Sequence, residues 1–279
     1  MMRPNRAVNA DAPTRHRFQL SDLFFYPWSV VVWSGGIVWM IFLVATSLPL
    51  TLFVPFERFQ TRWPMPQIGW TVYLTFSRTR VVHDPRYRGR KGVVFVQNHV
   101  SVYDGYVACH AIRVPLSGLE NEAHLKLPGY GWMMRLANAV PVGKGQGRFA
   151  KIATAMKDRV SRGISVLTFP EAHRTSDGKV QPFKRGVFQI ARDAGIPVVP
   201  LGVRGMFEVL PKGRFLIRPG NVEIYMGPEI ETAGLTDAQL DRLAERVRDI
   251  LVDWVEHGRT CGDVVFEPGP RDAEDPAVA

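Results

Sequence analysis

His99 and Asp104 stand five residues apart in the stretch Gln97-Asn98-His99-Val100-Ser101-Val102-Tyr103-Asp104. A carboxylate that holds one imidazole nitrogen fixes the tautomer and stabilises the imidazolium once a proton is taken. The other ring nitrogen is then free to act as a general base. On one continuous helix this spacing leaves the two side chains about 140° apart, so they meet only where a loop runs into a helix's first turn. The flanks supply that arrangement. Gly92 to Val96 is a short apolar, β-branched run that reads as a buried strand, and Tyr103 to Ile112 reads as a helix. His99 therefore falls at a strand end of an α/β sheet, where open α/β folds carry their chemistry. The chain has no G-x-S-x-G nucleophile motif, so the pair suits activation of a hydroxyl on the substrate. The plainer reading of the same residues is a turn capped by His99 and a helix begun by Asp104.

Two more strand ends carry polar groups. Phe169-Pro170-Glu171-Ala172-His173-Arg174 supplies a carboxylate, an imidazole and a guanidinium, and Phe183-Lys184-Arg185-Gly186 follows closely. Arg174, Lys184 and Arg185 could hold a phosphate, arginine through its planar fork and lysine as a point charge. Gly143-Lys144-Gly145-Gln146-Gly147-Arg148 lies between a strand and a helix. Its glycines allow main-chain N–H groups to approach an anion, although it is neither a Walker A loop nor G-x-G-x-x-G.

The elements that position these groups follow from periodicity. Strands are expected near Arg80–Val82, Val93–Val96, Leu116–Gly118, Ala139–Val142, Ser165–Phe169 and Val198–Val203, with helices near Tyr103–Ile112, Gly131–Asn138, Gly147–Ser161 and Val187–Ala194. The alternation implies an α/β sheet. Leu216-Ile217 and Val222–Tyr225 read as a hairpin across Arg218-Pro219-Gly220-Asn221, and Pro200 implies an edge or irregular strand. Thr236 and Gln239 form a capping box ahead of a helix whose stripe is Leu240, Leu243, Val247, Ile250, Leu251 and Trp254, stopped by Gly258.

The 279 residues carry a net charge of +9 and are 46% hydrophobic, enough for a sizeable core beside a basic surface. Basic charge fits nucleic acid, an anionic membrane or acidic substrates, and the segment Leu23 to Phe56, without one charged residue, turns the choice to membrane. Pro27, Pro49 and Pro55 are expected to break that segment. The segment is expected either to span the membrane once or to re-enter it; arginines on both flanks (Arg15, Arg17, Arg58, Arg62) favour both ends on the cytoplasmic side, hence a re-entrant hairpin or a half-buried helix. Trp63, Trp70, Tyr73 and Phe76 alternate with arginines, as at a membrane interface. Cys109 and Cys261 are far apart and ask for no oxidising compartment. The chain thus divides into a basic arm (1–22), a membrane-associated helical segment (23–78), an α/β domain (79–260) and a polar, Pro- and Asp-rich tail (261–279) that reads as disordered. No recognised nucleic-acid motif accompanies the charge, so a nucleic-acid partner is not expected.

Taken together, the blocks resemble the glycerolipid acyltransferase family, close to the bacterial 1-acyl-glycerol-3-phosphate acyltransferases. The resemblance runs from about Val81 to Met226. Asn98, His99, Ser101 and Asp104 match N-H-x-S-x-x-D, and Phe169 to Arg174 match F-P-E-G-T-R; Phe183, Lys184 and Gly186 match F-K-x-G, and Ile196 to Pro200 match V-P-V/I-V-P. Two positions depart: Ala172-His173 replaces Gly-Thr, and Lys144 stands where an arginine is usual, with Arg148 as its possible substitute.

The resemblance implies a mixed, largely parallel sheet flanked by helices, of the glycerol-3-phosphate acyltransferase type, with an N-terminal membrane-docking helical segment. It implies a catalytic His99 with Asp104, and acceptor contacts from Glu171 and Arg174, Arg174 at the phosphate. Lys144, Arg148 and Lys184 join them as substrate-binding candidates. It further implies an acyl-CoA or acyl-carrier-protein donor, membrane-lipid acceptors, no metal or other cofactor, and a place on the cytoplasmic side of the inner membrane. The product of such a reaction is phosphatidic acid. The competing readings are an acyltransferase for another lysolipid, such as lyso-ornithine lipid, and a membrane-bound lipid-binding protein without turnover.

Overall fold

The computed structural model describes residues 20–143 and 145–261. Lys144, nearly all of the basic arm, and the tail beyond residue 261 lie outside the described residues. The chain begins with α1 (Asp22–Leu50), α2 (Phe56–Phe59), α3 (Pro64–Trp70) and β1 (Arg78–His83). It continues through β2 (Val94–Gln97), α4 (Asp104–Ala111), β3 (Leu116–Asn121), α5 (Tyr130–Leu136), β4 (Val140–Val142) and α6 (Arg148–Ser161). It ends with β5 (Ser165–Thr168), α7 (Gly186–Ala194), β6 (Val198–Arg204), α8 (Met206–Val209), β7 (Asn221–Met226) and α9 (Asp237–His257).

All seven strands join one sheet in the order β1-β7-β6-β2-β5-β3-β4. Every neighbouring pair is parallel except β6 with β7. The central strands β2 and β5 are wholly buried, which explains their unbroken apolar runs. One core layer lies under α1, α3 and α4, where Val32, Met65, Val72, Phe95 and Val107 meet. The other lies under α6, α7 and α9, around Val94, Val166, Phe188, Val247 and Trp254. The capping box of α9 forms as expected, and Gly258 ends the helix in the left-handed region at φ 69°.

Three expectations are corrected. First, residues 216–225 make no hairpin: β7 pairs parallel to β1 and antiparallel to β6, while Arg218 N–H turns to the carbonyl of Val209 and Ile217 N–H to Ser29 Oγ. Second, Pro200 lies on an internal strand. Its carbonyl accepts from Gly227 N–H at 2.8 Å, just past the end of β7, so its missing donor faces that frayed end and costs the β2 ladder nothing.

Third, Pro27 and Pro49 lie inside α1, which is one 29-residue helix, about 43 Å long. They forfeit one ladder bond each, in the second and last turns, and packing along the helix outweighs the loss. Trp28 Nε1 donates to Leu74 O at 2.8 Å, Trp33 Nε1 to Phe215 O at 3.0 Å, and Arg218 meets the buried Asp22 at 2.6 Å. Further along, Met40, Leu43 and Val44 pack with Ile68 and Met133. Only Pro55 acts as a boundary, at the N-cap of α2.

Leu43 is fully buried in that third cluster. Leu43→Ala is expected to lower stability by about 2–5 kcal/mol and to loosen α1 from α5, read as a lower urea midpoint and faster proteolysis within α1 in detergent.

Candidate active site

The site gathers at the carboxyl end of the two central strands, β2 and β5. Where β2 ends, Asn98 extends the sheet with its side chain: its Nδ2 donates to Val203 O at 2.9 Å, and its Oδ1 accepts from Val203 N–H at 2.8 Å. That amide bridges to β6 after the main chain has turned away, which is a physical reason for an asparagine before the histidine.

The next residues wrap around one carboxylate. Asp104 Oδ2 accepts from His99 Nδ1 at 2.7 Å, from Val100 N–H at 2.7 Å and from Ser101 N–H at 3.0 Å. Tyr103 N–H donates to Ser101 Oγ at 3.3 Å and closes the turn into α4. Asp104 is the first residue of α4, so its charge also meets the positive end of that helix. With two main-chain donors on Oδ2, the aspartate is the acceptor and the ring must donate from Nδ1, which leaves the lone pair on Nε2. The Asp104 side chain is 1% exposed and that of His99 22%, so the carboxylate is dry and the imidazole is reachable. The spacing of five matches the length of loop needed to circle the carboxylate.

The loop after β5 supports His99 from the other side. Phe169 stacks on the imidazole with centroids 4.1 Å apart and planes at 22°. Glu171 Oε1 accepts from His99 N–H at 3.0 Å, and Thr175 N–H donates to His99 O at 2.8 Å. Glu171 is buried, and its Oε2 makes no hydrogen bond among the described residues. Burial pushes the Glu171 carboxyl up to about 7, against the main-chain hydrogen bonds from His99 and Gln181, and the Asp104 charge adds to the rise. Ala172 sits at φ 65°, a left-handed conformation that favours glycine. The departure from Gly at this position is therefore one of backbone strain.

The basic candidates divide. Arg174 is half-buried, lies beside Thr175, and has no ion pair or hydrogen bond among the described residues. Lys184 is exposed, and its N–H holds Pro170 O at 2.9 Å, which ties its segment to the Glu171 loop. Arg148 opens α6 and is exposed; the adjacent Phe149 ring lies against Gly186 at the start of α7. Arg148 and Lys184 thus flank two adjoining helix starts. Arg185 is a correction, since its guanidinium is taken by Asp237 at 3.1 Å and Asp241 at 2.8 Å. Lys144 lies outside the described residues. Thr175 went unnoticed in the sequence because it acts through its main-chain N–H, which leaves no side-chain signature. Among the described residues, no group of three or more His, Cys, Asp or Glu is placed to hold a metal ion.

Residues 79–204 match the family model described as Acyltransferase. A 1-acyl-sn-glycerol-3-phosphate acyltransferase of Chlamydomonas reinhardtii is 35% identical over 163 residues, 58% of this chain and 49% of that protein. One of Pseudomonas aeruginosa is 25% identical over 224 residues, 76% of this chain and 82% of that protein. The chain spans about half the length of the Chlamydomonas relative and 59% of a Limnanthes alba one. Among solved structures, the 1-acyl-sn-glycerophosphate acyltransferase PlsC of Thermotoga maritima superposes with a TM-score of 0.73 at 21% identity, covering 85% of this chain and 98% of that one. That likeness establishes the fold, a mostly parallel sheet flanked by helices.

Ala172→Gly is expected to raise stability by about 1 kcal/mol through relief of the left-handed backbone, seen as a higher thermal midpoint. Glu171→Gln tests the buried carboxyl. With its folded value raised from 4.5 to about 7, Glu171 contributes full stability at acid pH and loses it as pH rises through 7. The glutamine variant cannot ionise, so its stability relative to wild type should grow by something on the order of 3 kcal/mol between acid and alkaline pH. Denaturation at pH 5 and pH 8.5 measures the difference, and a pH-independent gap would contradict the assignment.

Proposed function

We propose, from the match of residues 79–204 to the family model described as Acyltransferase, that this protein is a lysophospholipid acyltransferase. It moves a fatty acyl group from a thioester donor, acyl-CoA or an acyl-carrier protein, to the free hydroxyl of 1-acyl-glycerol-3-phosphate and so forms phosphatidic acid. The observation that carries this reading is the 2.7 Å bond between His99 Nδ1 and the buried Asp104, with the imidazole side chain partly exposed.

His99 Nε2 takes the proton of the acceptor hydroxyl as its oxygen attacks the thioester carbonyl. Asp104 stabilises the imidazolium through Nδ1, and the two main-chain donors on the same oxygen keep that carboxylate in place. When the tetrahedral intermediate collapses, the C–S bond breaks and His99 returns the proton to the leaving thiolate. Atoms and charge balance without a further reactant. Arg174 is the candidate for the acceptor phosphate, because among the described residues its guanidinium has no partner, beside the loop that grips His99. Lys184 and Arg148 add positive charge at the two helix starts, with Lys144 beside them in sequence.

A lipid acceptor fits the outer surface of α1. Leu23, Phe24, Val30, Val31, Ile37 and Val38 are exposed there, and Trp70, Tyr73, Trp132 and Phe215 are exposed on neighbouring elements. α1 is also long and apolar enough to cross a bilayer, so this surface fits a helix that lies in the membrane interface or one that spans. The proposed location is the cytoplasmic face of the inner membrane. One observation favours a second acceptor: Ala172 holds a strained turn, and His173 is exposed in place of a threonine next to Arg174. That supports a lysolipid with a different head group, such as lyso-ornithine lipid.

Membranes bearing the protein, given labelled oleoyl-CoA or oleoyl-carrier protein with lysophosphatidic acid, should form phosphatidic acid. His99→Ala should lower the rate by about 100- to 10,000-fold while the protein still accumulates. No transfer to lysophosphatidic acid from either donor would reject this acceptor, and a panel of other lysolipids then decides the second reading.

A further inference from the structure

His99 is gripped on its main chain as well as on its ring. β2 ends at Gln97, so the His99 N–H and carbonyl have no ladder partner of their own. Glu171 accepts the first at 3.0 Å and Thr175 N–H supplies the second at 2.8 Å. Both come from one short turn after β5, as does the Phe169 ring on the imidazole. Glu171 is 6% exposed, and its Oε1 is engaged by the main-chain N–H of His99, the histidine that the acyltransfer reading makes the base. A carboxylate buried behind the histidine is poorly placed to meet an acceptor that arrives from outside. Arg174 and His173 are the members of the turn that stand free of it.

We infer that Glu171 is a positioning residue: with Thr175 it clamps the main chain of His99 and sets where Nε2 stands, and it does not bind the acceptor. Asp104 fixes the rotation of the ring and the course of the loop after it; Glu171 fixes the point from which the ring projects. The two carboxylates thus constrain different degrees of freedom of the same residue. This inference deepens the acyltransfer reading, and its kinetic part rests on that reading.

Glu171→Ala removes the acceptor of the N–H, whereas Glu171→Gln keeps a carbonyl oxygen there and removes only the charge. In the full-length protein, the alanine variant should lose about 100-fold in kcat with KM for lysophosphatidic acid within about two-fold, and the glutamine variant should recover to within about ten-fold of wild type. A second readout needs no turnover. The downfield Nδ1 proton of His99, the NMR signature of its bond to Asp104, should disappear in Glu171→Ala and persist in Glu171→Gln. A glutamine variant with unchanged kcat and a KM raised about ten-fold or more would make Glu171 an acceptor contact and overturn the inference. So would an unaltered Nδ1 proton in a folded alanine variant. If the proton responds as stated but no donor and acceptor pair reacts, the acyltransfer reading fails and the clamp stands.

Discussion

One oxygen, Asp104 Oδ2, takes three hydrogen bonds within one turn of chain, and the geometry of the site depends on it. A carboxylate this dry is costly unless donors surround it. Two of the three donors are main-chain groups, so the charge is held by the fold and not by the histidine alone. His99 can therefore change its protonation state without leaving the aspartate unsupported. The arrangement demands a strand that stops, a loop that circles and a helix that begins, which is why β2, residues 98–103 and α4 act as one unit.

The sheet makes that stop possible. A parallel strand buried on both faces normally leaves its last polar groups to solvent or to a loop. Here the Asn98 amide continues the contact with β6 for one more residue, while Glu171 and Thr175 take the main-chain groups of His99. Neighbouring strands on either side of β2 thus each contribute to holding His99, β6 through Val203 and β5 through the turn that follows it. Strand order, more than any single side chain, brings residues 99, 171 and 203 together.

Much of this was legible in the sequence, and the remainder was not for physical reasons. Short β-branched runs placed the strands that became β1 to β6, and the spacing of His99 and Asp104 anticipated their bond. The capping box at Thr236 and Gln239 marked α9 to the residue. Pro200 misled because the cost of proline depends on which neighbour its nitrogen faces, a fact of register that local sequence does not carry. The run 216–225 misled because β7 found its partners in β1 and β6, more than a hundred residues and about twenty residues away, and not across the nearest turn. The prolines of α1 were read by helix propensity, which tertiary packing overrode. Arg185 looked like a phosphate ligand until α9 brought Asp237 and Asp241 to it. Thr175, acting through its backbone, had no signal to give.

The two faces of the sheet are unlike, and the site stands between them. On one side α1 turns buried serines and aliphatics to the core and an apolar stripe outward. On the other, α6, α7 and α9 present charged surfaces and the helix starts that bear Arg148 and Lys184. A substrate with long acyl chains is favoured on the first side by the same free energy that keeps α1 there. A polar or anionic group is favoured on the second, where guanidinium and ammonium groups remain solvated. His99 lies two residues past the end of a central strand, at the border of the two layers. A reaction that joins a lipid hydroxyl to a thioester carried by a water-soluble donor needs such a border, because neither environment accommodates both partners. The buried carboxylates then serve a further purpose: with His99 held from Asp104 and from the turn after β5, its position is set by the α/β core and not by the placement of α1.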